Sequence, residues 1–272
     1  MHSTSVEINK DATNGKVQVS IVVPTYNERE NIPVLCEKLR RTLDGRWTYE
    51  IIVVDDNSPD GTGEVVRQLA QDNPAIKLLE RPGKLGIGTA FIDGIRHALS
   101  IADSDIIITM DADMSHDPGD LPRIIAAAGN ADLVQGSRYI QGGKVIGWSL
   151  RRKLQSLTAN AMCRFLLGTG LRENTTSYRA YSRKLAERLL CLSAVKGYEF
   201  LPLVALLARR EKYRIVEVAI TFVDRRLGQS KTSLRVIVRW GVCILAATLN
   251  QRVFRNRSIT AALESEVIGS HS

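Results

Sequence analysis

The chain has 272 residues, 44% hydrophobic and 24% charged, which excludes disorder or a collagen-like repeat as its main state and leaves ample material for a buried core. Its 4 cysteines form no CxxC pair and two of its 4 histidines, His2 and His271, lie at the chain ends, so no zinc site is expected. The net charge of +8 is uneven: residues 1–143 carry 14 Lys/Arg against 21 Asp/Glu, and residues 144–257 carry 23 against 6, which points to a polyanionic partner for the second half.

Residues 1–16 are polar and lack the apolar core of a signal peptide, so a flexible leader on a reducing, cytosolic chain is expected. Val17–Pro24, Tyr49–Val54, Ile76–Leu79, Ile106–Met110 and Asp132–Gln135 are short apolar, β-branched runs and predict strands. Between them Glu30–Leu43, Gly61–Gln71, Thr89–Ala102 and Asp120–Ala128 carry helical periodicity. This alternation predicts an α/β fold with a mostly parallel sheet flanked by helices, its strands apolar on both faces. From residue 144 the pattern turns helical, at Leu150–Leu167, Arg183–Leu192, Glu199–Glu211 and Thr232–Asn250, with one alternating strand at Arg214–Val223. We expect a catalytic unit over 17–230, a basic amphipathic helix over 231–257 and a polar tail over 258–272. The longest late uncharged run, Trp240 to Gln251, falls short of the roughly 20 residues a membrane span needs.

Polar segments follow three of the strands: Thr25-Tyr26-Asn27-Glu28, Asp55-Asp56-Asn57-Ser58 and Asp111-Ala112-Asp113. Carboxyl ends of strands in open α/β sheets carry ligand sites, so these loops are expected at one edge. Asp111 and Asp113, one residue apart past a buried strand, suit a hard divalent cation that bridges diphosphate oxygens. Asp55 and Asp56 could accept hydrogen bonds from a base or ribose, and Lys84 opens a glycine-rich cationic segment able to approach a phosphate. The arginines and lysines at 138, 151–153, 179, 225–226 and 231 form a cationic set suited to phosphate oxygens. GxGxxG after the first strand, GxxxxGK[ST] and GxSxG are all absent, which disfavours NAD or FAD binding, P-loop chemistry and a hydrolytic triad. Two helices read as membrane-facing. One carries Lys231, Arg235 and Arg239 beside Trp240, and the other carries Leu154, Leu157, Ala161 and Phe165 behind a basic start. A nucleic-acid-binding module is the rival class, but the basic stripe lacks the interleaved aromatics of a stacking platform.

The ordered segments SIVVPTYNERENI, IIVVDDNSPDGT, RPGKLGIGTAFIDGI, MDADMSHDP, GSRY, GWSLRRKLQS, KGYEF and EVAITFVDRRLGQSK together resemble the dolichyl/polyprenyl-phosphate mannose synthases, inverting glycosyltransferases of the GT-A fold. The resemblance runs from about Val19 to Thr248. It implies that Pro24, Tyr26, Glu28, Val53 and Asp55, with Asp56, Lys84, Asp111 and Ala112, hold the nucleotide sugar GDP-mannose. It further implies that Asp111, Asp113 and Ser115 hold Mg²⁺ or Mn²⁺ and that Arg138, Arg225 and Lys231 act with Asp113 at the phosphates. Ser137 and Arg152 would face the lipid phosphate of a dolichyl or polyprenyl acceptor at the cytoplasmic face of a membrane, reached peripherally or through a membrane subunit. The alternative is the same fold using another nucleotide sugar, such as UDP-glucose, or another acceptor. Glu173-Asn174-Thr175-Thr176-Ser177-Tyr178-Arg179 departs from the family's TSGFR-like stretch, where a glycine is usual and Asp is common at the position of Glu173.

Overall fold

The computed structural model describes residues 17–224, so the leader, Arg225, Lys231, the 231–257 helix and the tail lie outside the described residues. Strands β1 (Gln18–Thr25), β2 (Thr48–Asp55) and β4 (Ile106–Thr109) send successive side chains to opposite faces of the sheet, as the two-residue period of a strand requires. Val19, Ile21, Val23, Ile51, Val53, Ile106 and Ile108 enter one core, under α1 (Asn31–Leu43), α2 (Thr62–Asp72) and α4 (Leu121–Ala128). Val22, Ile52, Val54 and Ile107 enter the other, against α3 (Ile87–Ser100), α6 (Arg183–Leu189) and α7 (Phe200–Arg210). Helices thus cover both faces, which is why these strands read as continuous apolar runs. Helix α3 crosses β1 so closely that a Cβ on Gly94 would lie 2.2 Å from Cγ1 of Val22.

The seven-stranded sheet has the order β3-β2-β1-β4-β7-β5-β8, with β3 (Ile76–Glu80), β5 (Leu133–Ser137), β7 (Arg179–Ser182) and β8 (Ile215–Ala219). All neighbours pair in parallel except β7, which runs antiparallel between β4 and β5. Two short strands, β6 (Lys144–Ile146) and β9 (Thr221–Val223), form a separate parallel ribbon, and α5 (Leu150–Leu166) follows β6.

The expected alternation of strands and helices is present, and two features correct the sequence reading. The stretch Arg214–Val223, read as one strand, is two: β8 ends at Ala219, Ile220 donates its N–H to the Ser137 carbonyl, and β9 leaves the main sheet to pair with β6. Neither β6 nor β7 was expected. Among the described residues no helix is long and apolar enough to cross a membrane.

Candidate active site

The carboxyl ends of β1, β2, β4 and β5 meet the amino end of the reversed strand β7 at one edge of the sheet, with Thr109 opposite Arg179 and Thr25 opposite Asp55. Three groups of side chains gather there.

The first surrounds the ends of β1 and β2. Asp55 is buried; its Oδ1 accepts from Thr25 Oγ1 at 2.8 Å and Ser58 Oγ at 2.6 Å, and its Oδ2 from the Ser58 N–H at 2.9 Å. This carboxylate therefore shapes the turn between β2 and α2. Asn27 and Asn57 adopt left-handed backbone in the same two loops, a conformation asparagine tolerates better than most residues. The Tyr26 ring lies under Lys84, whose Nζ is 4.2 Å from the ring centroid, so the structure brings together two residues named for the nucleotide. Glu28 Oε2 accepts from the Asn31 side chain, and the Glu28 N–H reaches Thr62 Oγ1. Asp56 instead accepts from Arg81 Nε at 2.6 Å, a pair almost wholly buried. Arg81 also donates to Thr89 Oγ1 and the Gly86 carbonyl, so Asp56 anchors the Lys84–Gly86 segment from below. Pro24 sits opposite Val54 near the strand end, but Val53 has no exposed surface and its side chain lies in the core. The expected contact between Val53 and a ligand is corrected on that ground.

The second group is the loop after β4. Met110 and Ala112 point into the core, while Asp111 between them keeps about a third of its side chain exposed. Ala112 thus lends its position rather than an exposed side chain. Asp111 Oδ1 accepts from Ser177 Oγ at 2.6 Å, and Asp113 Oδ1 accepts from the Ser115 N–H at 3.1 Å. Ser115 Oγ is buried and has no hydrogen-bond partner. A buried hydroxyl without a partner is costly, and here it stands two residues from one carboxylate and four from the other. Two carboxylates and a hydroxyl are hard oxygen donors that fit Mg²⁺ or Mn²⁺ and leave places for diphosphate oxygens and water. Among the described residues no cluster of three or more His, Cys, Asp or Glu provides a closed cage. His116 is fully buried, and burial outweighs the charges of Asp111 and Asp113 to hold its imidazole below the ordinary range, hence neutral near pH 7.

The third group is cationic. Arg138 lies buried at the end of β5; its Nε and Nη2 clasp both oxygens of Glu173 at 2.7 and 2.9 Å, and Nη2 also donates to Thr175 Oγ1. Burial opposes both charges, yet the partners' mutual field holds Glu173 below the usual carboxylate range and Arg138 above its own. The Trp148 ring meets two guanidinium groups, its centroid 5.0 Å from Cζ of Arg138 and 4.3 Å from Cζ of Arg152. Arg152, in the first turn of α5, pairs with Asp224 at 2.6 Å. Ser137 is fully buried and its hydroxyl accepts from the Tyr139 N–H, so it offers a lipid phosphate no exposed surface and that expectation is corrected. Arg179, counted from sequence among the phosphate-facing cations, is also fully buried. It donates to the carbonyls of Asn174, Thr176 and Leu201 and so pins the 174–176 segment to α7. Arg225 and Lys231 lie outside the described residues.

Sequence reasoning passed over Glu173, Thr175, Thr176, Ser177, His116 and Trp148. The one signal was that the ENTTSYR stretch departs from the family pattern; it proves to be the segment that holds both Arg138 and Asp111. Beside the site, α5 buries only Asn160 and Cys163 and exposes Leu150, Leu154, Leu157 and Phe165, the last at 79%.

The family model for glycosyl transferase family 2 matches residues 20–190. Undecaprenyl-phosphate mannosyltransferase of Micrococcus luteus is 40% identical over 235 residues, which cover 83% of this chain and 95% of that protein. Polyprenol monophosphomannose synthase of Mycolicibacterium smegmatis is 40% identical over 233 residues, covering 82% and 86%. The crystal structure of glucosyl-3-phosphoglycerate synthase from Mycobacterium tuberculosis with Mn²⁺, UDP-glucose and phosphoglyceric acid superposes with a TM-score of 0.61 at 19% identity, over 86% of this chain and 80% of that one. That likeness shows the fold alone, and it agrees with the GT-A architecture expected from the sequence. The chain belongs to glycosyl transferase family 2 and is a glycosyltransferase of the GT-A fold.

Proposed function

We propose that the protein transfers mannose from GDP-mannose to a polyprenyl or dolichyl phosphate with inversion, releasing GDP, with Mg²⁺ or Mn²⁺ at Asp111, Asp113 and Ser115. The observation that carries this reading is one buried segment, 173–177, that hydrogen-bonds both Asp111, the carboxylate assigned to the cation, and Arg138, the arginine assigned to the phosphates. The two curated relatives, named for mannose transfer to such lipids, support the acceptor and the sugar.

The acceptor is a phosphate monoester with a second pKa of about 6, so near pH 7 it is already a nucleophile and the site needs no strong general base. The chain's task is to align it and to stabilise the departing diphosphate. Tyr26, Glu28, Asp55 and Lys84 would hold the nucleoside end, with Asp56 acting through Arg81 to support the Lys84 segment. A divalent cation bound by the Asp111 loop supplies positive charge against the diphosphate. Arg138 keeps Nη1 outside its clasp with Glu173, and Arg152, only partly buried, can exchange Asp224 for a phosphate. The exposed apolar face of α5, behind the basic run Arg151-Arg152-Lys153, suits a peripheral seat on an anionic membrane where a lipid acceptor resides.

Nucleotide competition on the purified protein tests the donor. GDP-mannose should displace a fluorescent guanine nucleotide more tightly than UDP-glucose or UDP-N-acetylglucosamine does. The reverse order would overturn the mannose assignment and leave a UDP-sugar transferase of the same fold.

A further inference from the structure

His116 joins the two halves of the site. Its Nδ1 accepts the Asp111 N–H at 3.1 Å, and an N–H can only donate, so the neutral ring carries its proton on Nε2. Nε2 lies 3.0 Å from Thr176 Oγ1 and donates to it. The ring has no room to swing: it stacks on Tyr178 at 4.9 Å between centroids and meets Phe222 edge-on at 5.6 Å.

The partner segment is equally constrained. Glu173, Asn174, Thr176 and Ser177 are all buried, and Arg179 holds the carbonyls of residues 174 and 176. Along this segment the side chains divide their duties. Glu173 and Thr175 grip Arg138, Thr176 receives His116, and Ser177 donates to Asp111. A displacement of the segment therefore moves the Arg138 guanidinium and the Asp111 carboxylate together.

We propose that His116 is a positioning residue that couples divalent-cation binding at the Asp111 loop to the phosphate-facing cation Arg138, through its hydrogen bond to Thr176. The inference rests on the proposed cation role of Asp111 and Asp113. It makes Thr176, whose hydroxyl bonds to His116 and the Tyr178 N–H rather than to either carboxylate, a determinant of metal affinity. By linkage, a phosphate held at Arg138 and a cation held at Asp111 each tighten the other by one common factor.

The test titrates Mn²⁺ into the full-length protein in the presence of GDP and reads free Mn²⁺ by electron paramagnetic resonance. The proteins compared are wild type, His116→Phe, Thr176→Val and the double variant. His116→Phe keeps a ring against Tyr178 and deletes both hydrogen bonds of the imidazole, whereas Thr176→Val leaves the His116 bond to Asp111 in place and deletes the remote bond together with the longer one, 3.4 Å, from the Tyr178 N–H. We expect Thr176→Val to weaken Mn²⁺ binding about three- to tenfold, the worth of one buried hydrogen bond. The double variant should fall well short of the sum of the two single losses, because both changes remove the same His116–Thr176 bond. Unchanged Mn²⁺ affinity in Thr176→Val, or additive losses in the double variant, would overturn the coupling. Should His116→Phe fail to fold, Thr176→Val alone decides. Absence of Mn²⁺ binding by the wild type would instead overturn the cation reading itself, and the coupling with it.

Discussion

Replacing Glu173 with alanine would leave the Arg138 guanidinium in a site with almost no solvent contact and no counter-charge. Glu173 accepts from Nε and Nη2 of Arg138 and from both the N–H and the hydroxyl of Thr175, so four hydrogen bonds are lost with it. Breaking one side of a buried ion pair costs about 3–5 kcal/mol, a large part of a typical domain's total of about 5–15 kcal/mol. Replacing both partners with apolar residues of similar volume, as in Arg138→Met with Glu173→Met, should return most of that loss while still abolishing transfer. Urea unfolding followed by circular dichroism measures both variants at neutral pH. The pH dependence has a definite sign. Burial raises the Glu173 pKa, but Arg138 lowers it further, so the folded value lies below the ordinary one. The stabilisation from this pair is therefore complete above the ordinary glutamate range, near 4.5, and is lost as pH falls through the lower folded value. The gap between wild type and Glu173→Gln should accordingly close in acid. A loss under about 1 kcal/mol for Glu173→Ala at neutral pH would refute the reasoning.

Asp113→Ala should abolish metal-dependent transfer while leaving the circular dichroism spectrum that of the wild type, since the residue lies in no helix or strand; near-normal turnover would count against its metal role. Gly86→Ala would place a Cβ 2.3 Å from the Lys196 carbonyl oxygen at a backbone φ of +107°, so a strain of about 1–3 kcal/mol and a raised KM for the nucleotide sugar are expected. Arg179→Met should cost about 3 kcal/mol or more in unfolding free energy, because three buried carbonyls lose a charged donor. Leu154→Glu with Phe165→Glu should weaken sedimentation with anionic vesicles about tenfold or more, and should reduce turnover on a short water-soluble acceptor far less. Equal loss in both assays would argue against a membrane role for α5.

Much of the architecture was legible because the sheet is buried on both faces. Runs such as SIVVP and IIVV have no other use, and polar residues begin where the strands end. Asp111 and Asp113 were legible for the same reason, since two carboxylates past a fully apolar strand stand out against it. Strand β7 was hidden because its four residues, RAYS, begin with an arginine, and a buried arginine is recognisable only once the carbonyls it satisfies are in place. The break at Ile220 was hidden because alternation persists across it, although β8 and β9 pair in different sheets. Glu173 carried only the signal of an unusual stretch: a loop carboxylate declares its role when its partner, 35 residues earlier, comes beside it. Val53 and Ser137 erred in the opposite direction. Their places in family motifs suggested ligand contacts, but their side chains are spent on the core and on the end of β5.

Labelled sugar followed into organic-extractable lipid reads mannosyl transfer itself. Purified protein, Mg²⁺ or Mn²⁺ and polyprenyl phosphate would be incubated in parallel with GDP-mannose, UDP-glucose or UDP-N-acetylglucosamine. Label should move from GDP-mannose, only with the metal present, and transfer should be lost in Asp113→Ala. Transfer from a UDP-sugar alone would contradict the assigned donor, and no transfer from any of the three would contradict the assigned reaction.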